Sequence, residues 1–428
     1  MNTIELVQNN SKAKAILAIN PTASNDYFRQ RMKDIGLNVI GFFTTIDFPG
    51  YSNNALRKEH YLRRIISNGS ITDDLHGIQK LSSEIELIHG MIGTEVGVEY
   101  GQLLLSILFP QQSNHPETSH LHYKKFEMNE RLRSCGVPSL QQIMINAKLP
   151  YADIEKSILS VFPLPTRSIV LKPSHGSAAS KDVLITSSVD EVHAYFHKKE
   201  KGLFYQTDDI VVQELAMGDE YFVDGYSYQG QHQFTSVFKY TKQYRNGSMI
   251  YRYKDILADE DSISREARSY VAQCLDALKY QFGFSHTEII RTQEGYRLIE
   301  MNPRISGAHG SSNDMAKLKN NVDQIDLYAN SMLSCPLQKV TAKKCYRYYY
   351  LNNVGFSFHG LNMKMIESLT SYHSIKILKH SGHSCCATQF LTDTVALILL
   401  AHDEFQQIEE DTNKLMRYEN NGTCFLKS

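Results

Sequence analysis

The stretch YRLIEMNPRISG (residues 296–307), with SHTEII (residues 285–290) just upstream, decides the reading of this chain. Side chains alternate along a strand, so Glu300, Asn302 and Arg304 point into one cleft. Glu288 lies twelve residues before Glu300 on HTEIIRT, an apolar run that reads as the partner strand of a hairpin turning at residues 293–295. Mg²⁺ is a hard ion that takes oxygen ligands, commonly one or two carboxylates with phosphate oxygens and water. Glu288, Glu300 and Asn302 supply three such donors, and Mn²⁺ suits the same set. The arrangement is one that holds a divalent ion against the phosphates of a nucleotide. Arg304 beside it offers a planar fork for a carboxylate or phosphate. The alternative is a solvated hairpin with two surface acids; the apolar residues around Glu300 argue against it.

The 428 residues exceed one ordinary core, which implies two or three packed domains or lobes. A formal charge of −1 gives no general attraction to nucleic acid or acidic membranes, so neither is expected as a partner. The longest apolar run, TVALILLAH, is strand length rather than membrane length. The first residues lack a basic-then-apolar secretory pattern, and a cytoplasmic location is expected. The seven cysteines are scattered, with Cys385 and Cys386 adjacent and no C-x-x-C pair, so reduced thiols are expected and a zinc site is not.

AKAILAIN followed by DYFRQRMKDIGLNVIGFFTTID reads as strand, helix, strand, the opening of an α/β layer. IELIHGMIGTEVGVEYGQLLLSILF continues it, with a buried strand ending near His89, a glycine loop, and a helix starting after Glu95. That loop suits either a phosphate or a plain tight turn. A polar linker follows, then a helix ending at Cys135 with Gly136 as its stop. The expected domains are residues 1–115, 116–338 and 339–428, an α/β N-terminal unit, a central unit and an α+β lobe. The overall class is α/β (α+β). The tyrosines at 346 and 348–350 read as core packing.

In IVLKPSHGSAAS, Lys172 closes an apolar run and a small-residue loop follows, including Ser177 and Ser180. Such loops let backbone amides approach an oxyanion, while the lysine adds a point charge. IVVQELAMGDEYFVDGY carries a strand, a connector at Gln213 and Glu214, and Glu220 seven residues beyond Gln213. A connector of this kind can pair with an adenine edge, and the later carboxylate can take both ribose hydroxyls. The order along the chain is lysine, glycine loop, adenine hinge, ribose acid, metal acids.

This order resembles that of the ATP-grasp superfamily, and the chain looks like its carboxylate–amine ligases, particularly the bacterial L-amino-acid ligase type. The resemblance covers nearly the whole chain, since GTEVGVEYGQLLLSILF and KFEMNERLRSCGVP also look like that group's segments. It implies an ATP-grasp fold with an N-terminal pre-ATP-grasp domain, a lid subdomain at about residues 165–217, and a C-terminal lobe. It places Lys125 and Lys172 on ATP phosphates, Gln213, Glu214, Leu215 and Ala216 along adenine, and Glu220 on the ribose. Glu288, Glu300 and Asn302 match the metal positions. Arg304 matches the residue that steadies an acyl phosphate or substrate carboxylate. Two departures stand out. Gln213 replaces a common Glu, and its amide oxygen is expected to serve adenine. Ser180, Lys181, Asp182 and Val183 replace a Ser-x-Gly-Val ending, putting a carboxylate near phosphates.

These residues imply phosphoryl transfer from ATP to a substrate carboxylate, followed by attack of an amine, with small-molecule substrates and a homodimer expected from the resemblance. No G-x-S-x-G or Cys/His arrangement suggests an enzyme nucleophile. Among Lys239, Lys242, Arg245, Arg252 and Lys254, which lie amid tyrosines, a substrate or lid element and a solvated basic loop are both open; Lys239 is the candidate named. His309 in HGSS is a second candidate for substrate contact. A carboxylase using bicarbonate, and a nucleotide-binding regulator without chemistry, are the rival functions.

Overall fold

The computed structural model describes residues 12–22, 24–44, 60–174, 183–198, 208–245, 248–356, 359–379 and 387–426. The described residues open with β1 (Ala13–Ile19), α1 (Asn25–Asp34), β2 (Asn38–Phe43), β3 (Arg63–Ile66), α2 (Ile71–Lys80), β4 (Ile85–Ile92) and α3 (Val98–Leu108). These strands form a parallel sheet in the order β3-β2-β1-β4. β1 is apolar along its buried length because helices cover both faces of such a sheet. β4 runs three residues past His89 before the glycine turn, since its register with β1 continues to Ile92. A short turn at Glu95–Gly97 then leads into α3.

After α4 (Lys125–Ser134), whose end is marked by Gly136 at φ 74°, comes a second unit: β5 (Gln142–Asn146), α5 (Tyr151–Val161), β6 (Ile169–Pro173), β7 (Leu184–Thr186), α6 (Val189–Lys198) and β8 (Asp209–Glu214). Its antiparallel sheet has the order β5-β8-β6-β7. β5 and α5 thus join a unit expected to begin near residue 165, because β5 pairs with β8 over five residues and Ile154 and Ile158 fill its core.

The remaining elements are β9 (Asp219–Tyr228), β10 (Gln231–Arg245), β11 (Ser248–Ile256), α7 (Ser262–Ala277), β12 (Gly283–Thr292), β13 (Gly295–Asn302), α8 (Ser311–Asn320), α9 (Gln324–Leu333), β14 (Cys345–Leu351), β15 (Gly360–Leu361), α10 (Met363–Glu367), β16 (Tyr372–Ile377), β17 (Ala396–His402), α11 (Phe405–Asn420) and β18 (Phe425–Leu426). One sheet takes most of these strands, in the order β13-β12-β9-β10-β11-β14-β17-β16. The strands after residue 339 therefore extend the central sheet rather than standing apart, joined through the β11–β14 pairing. Tyr346, Tyr348, Tyr349 and Tyr350 are buried in it, as core residues.

The central sheet has two chemically different faces. Tyr221, Val223, Val237, Ile289, Leu298 and Met301 pack beneath α7. The opposite face carries Glu220, Phe222, Asp224, His286, Glu288, Glu300 and Asn302, as strand alternation and register require. A cluster of Ile16, Phe28 and Met32 with Tyr226, Phe284, Ile305 and Tyr328 ties the parallel sheet to this central one. No described helix is long and apolar enough to cross a membrane. Cys385 and Cys386 lie outside the described residues; the described cysteines Cys135, Cys274, Cys335, Cys345 and Cys424 are free.

Candidate active site

The hairpin β12–β13 turns at Gln293 and Glu294 and sets Glu288 directly opposite Glu300. Cross-strand partners share a face, so the two carboxylates lie together, with Asn302 two residues on. Asn302 Nδ2 donates to Glu300 Oε1 at 3.1 Å, and Lys125 Nζ, at the start of α4, lies 3.4 Å from Glu300 Oε2. Burial works against the Glu300 charge, but Lys125, the Asn302 amide and Lys172 overcome it and hold the carboxyl down at about 2. Two carboxylates and an amide on one face are oxygen donors that fit a hard divalent ion, and Glu288, Glu300 and Asn302 are the residues that would hold it.

Lys172, at the end of β6, is buried, and its Nζ donates to Gln213 Oε1 at 3.0 Å. Burial, and then the nearby Lys125, lower its pKa to about 8. Gln213 in turn donates through Nε2 to Gln142 Oε1 at 3.1 Å. The Gln213 oxygen expected to serve adenine is thus engaged by Lys172, because position 213 on β8 faces β6 across the pair Val170–Gln213. Glu214, Leu215 and Ala216 form the half-buried connector from β8 to β9. The amide of Gln141 donates to Glu214 Oε1 at 2.9 Å, and the Leu215 amide donates to the Ser168 carbonyl at 3.1 Å. Gly218 passes so close to Arg291 that a Cβ would lie 2.0 Å from its carbonyl oxygen.

Glu220 is ion-paired with Lys242 of β10. Burial opposes the Lys242 charge, but Tyr251, Glu220 and Glu288 around it keep the ammonium protonated well above its ordinary range. Lys242 is therefore the member of the basic run that meets the site carboxylates. Lys239 lies three residues earlier, on the opposite face, where it pairs with Asp219 at 2.8 Å; the structure does not bring it to the carboxylates. Arg252 is buried against Glu419 of α11 and Tyr349 of β14, both remote in sequence. Lys254 is buried on the site's face and donates to Ser311 Oγ at 2.7 Å and Ser312 Oγ at 2.6 Å. His309 follows β13 in a turn with φ 56°, its side chain exposed and its carbonyl accepting from Lys376 at 3.1 Å. Ser177, Ser180, Lys181 and Asp182 lie outside the described residues.

Arg304 is buried just past β13, and its Nε donates to Glu95 Oε1 at 2.6 Å, with Nη2 on the same oxygen. Nη1 donates to the Ile305 carbonyl at 2.9 Å. Glu95, which the sequence marks only as a helix start, is thus the partner that fixes the guanidinium. Next to Glu288, His286 makes two further carboxylate contacts: Nδ1 to Asp224 Oδ1 at 2.6 Å and Nε2 to Glu288 Oε1 at 3.2 Å. Burial disfavours its charge, yet Asp224 and Glu288 raise its pKa to about 9. Neither Asp224 nor His286 carries a motif signal beyond sharing strand parity with Glu220 and Glu288.

The site gathers two facing carboxylates, lysines on separate elements and a clamped arginine, a set suited to holding polyphosphate and neutralising charge as it moves. Residues 166–313 match a family model described as an ATP-grasp domain. That span holds Lys172, Gln213, Glu220, Glu288, Glu300, Asn302 and Arg304, while Lys125 and Glu95 precede it. Among curated proteins the chain is similar to a dapdiamide A synthase of Enterobacter agglomerans, 27% identical over 248 residues, covering 57% of this chain and 56% of that protein. The match therefore spans about half the length of that relative. Among solved structures it resembles an L-amino acid ligase from Bacillus licheniformis, with TM-score 0.73 and 13% identity over 95% of this chain and 98% of the other. It also resembles an N5-carboxyaminoimidazole synthetase from Staphylococcus aureus complexed with ADP, with TM-score 0.68 and 14% identity over 95% and 98%. The chain has the ATP-grasp fold, and its residues 166–313 match the ATP-grasp domain model.

Proposed function

We propose that the protein is an ATP-dependent carboxylate–amine ligase that forms an amide bond through an acyl phosphate, joining amino acids or closely similar small molecules. The observation that carries this reading is the pairing of Glu288 with Glu300 on one sheet face, with Lys125 on Glu300 and Lys172 near by. Similarity to a dapdiamide A synthase and to an L-amino acid ligase fold supports a ligase.

In this reading Lys125 and Lys172 neutralise phosphate oxygens, the 214–216 connector lies along adenine, and Glu220 with Lys242 meets the ribose end. Glu288, Glu300 and Asn302 would hold a divalent ion, Mg²⁺ or Mn²⁺, which would neutralise phosphate charge when bound. The substrate carboxylate attacks the γ-phosphorus, the bond to the β-bridging oxygen breaks, and ADP leaves. Arg304, fixed by Glu95, steadies the resulting mixed anhydride. The amine then attacks the acyl carbon, the acyl carbon–oxygen bond breaks, phosphate departs with that bond's electron pair, and the amine proton passes to the departing phosphate or to water. Positioning and electrostatics suffice for both steps, without an enzyme nucleophile.

The test is Mg²⁺-dependent phosphate release from ATP with pooled L-amino acids, the product mass being read in the same wells. The expected result is release that needs two amino acids, with a new mass equal to their sum less water. Release driven by bicarbonate instead, or nucleotide binding without release on any acceptor, would overturn it.

A further inference from the structure

We propose that Asp224 and His286 form a positioning relay that sets the carboxylate of Glu288 for a divalent cation, an inference that rests on the reading of Glu288 as a ligand. Three neighbouring strands build the relay. His286 on β12 lies across from Asp224 on β9 and, on its other side, from Asn302 on β13. All three are at most 6% exposed. The ring thus sits at the centre of the polar face, two residues from Glu288.

Both ring nitrogens meet carboxylates, Asp224 at 2.6 Å and Glu288 at 3.2 Å. Ser306 Oγ lies 3.4 Å from Nδ1, and the Phe222 ring packs with its centroid 4.9 Å away. These contacts fix the ring plane. The ring holds Glu288 by one oxygen, Oε1, which leaves Oε2 for a cation. Among the described residues Asp224 Oδ2 is buried without a hydrogen-bond partner, so the ring is the one side chain this carboxylate bonds there. A histidine serving only the core needs no acid on each side; an aspartate–histidine–glutamate chain ending on a metal carboxylate is how outer groups orient ligands.

The test uses the full chain with Mn²⁺ as probe, free ion being counted by electron paramagnetic resonance in the presence of a non-hydrolysable ATP analogue. Asp224→Asn and His286→Gln are compared with Glu300→Gln. The expected result is a loss of Mn²⁺ affinity of about 10-fold or more in both relay variants, with metal-free nucleotide affinity unchanged. Asp224→Asn keeps the shape and one acceptor, so it carries the test where His286→Gln does not fold. Weakened Mn²⁺ binding in Glu300→Gln alone would overturn the relay and leave the metal assignment standing. Unchanged binding in all three would overturn the metal assignment and the relay with it.

Discussion

Lys172 shows how burial tunes one charge. Burial and then the nearby Lys125 lower its pKa to about 8, and the residue it donates to, Gln213, is a neutral amide. Below that pH the lysine is a cation that attracts phosphate; above it, it is a neutral amine. ATP affinity is therefore expected to weaken as pH rises through about 8. In Gln213→Glu, where a carboxylate stabilises the ammonium, the decline moves to higher pH. Titration of nucleotide binding between pH 7 and 9.5 checks this; identical profiles for the two proteins would rule it out. Glu300→Gln is expected to lower turnover by roughly 10²-fold or more while leaving thermal stability near wild type. Steady-state kinetics beside a melting curve would separate that from unfolding. Alternation alone made Glu300 and Asn302 legible as one set in the sequence. Glu95 was not legible as the partner of Arg304, because the two are 209 residues apart and meet only through the packing of two sheets. Lys239 and Lys242 were indistinguishable on charge; strand parity sends one to Asp219 and the other to Glu220.

At the scale of elements, the β8–β9 connector depends on Gly218, whose Cα faces the Arg291 carbonyl of β12. A methyl there would lie 2.0 Å from a backbone oxygen, so strand or connector must shift. Gly218→Ala is expected to destabilise the fold by about 1–3 kcal/mol and to weaken nucleotide binding through displacement of Glu220. Urea unfolding with an affinity measurement checks both, and an unaltered midpoint would show that the connector yields freely. The hairpin itself was readable from the sequence, down to its turn before Gly295, since its strands and turn residues all agree. The small sheet was less so. β5 is five residues flanked by helices, and only its pairing with β8 draws it into that unit.

Across the whole molecule, two buried histidines hold the N-terminal layer to the rest. His122 Nε2 donates to the Leu278 carbonyl at 3.0 Å, while its Nδ1 accepts from Gln102 of α3 at 3.1 Å. His89 Nε2 donates to the Gln112 carbonyl at 3.0 Å, and its ring packs at a tilt against Phe109 and Tyr328. Burial lowers both pKa values to about 4. Because the unfolded chain takes up these protons first, stability is full above the ordinary histidine value and is lost as pH falls toward 4. Each group costs roughly 2 kcal/mol at pH 5, a large share of a stability of about 5–15 kcal/mol. Urea unfolding at pH 7 and pH 5 is expected to show this drop, and a smaller one in His122→Gln. Equal drops in the two proteins would contradict the assignment. The continuity of β14, β16 and β17 with the central sheet was hidden in the sequence, since parallel or antiparallel neighbours across about a hundred residues leave no local pattern.

In the proposed reaction a substrate carboxylate takes the γ-phosphoryl of ATP. The most direct measurement supplies that carboxylate labelled with oxygen-18, together with ATP, Mg²⁺ and the amine, and reads the mass of the phosphate released. The mixed anhydride keeps a carboxylate oxygen on phosphorus when the amine displaces phosphate, so label is expected in the phosphate in step with amide formed. Unlabelled phosphate released at the rate of amide formation would contradict the account.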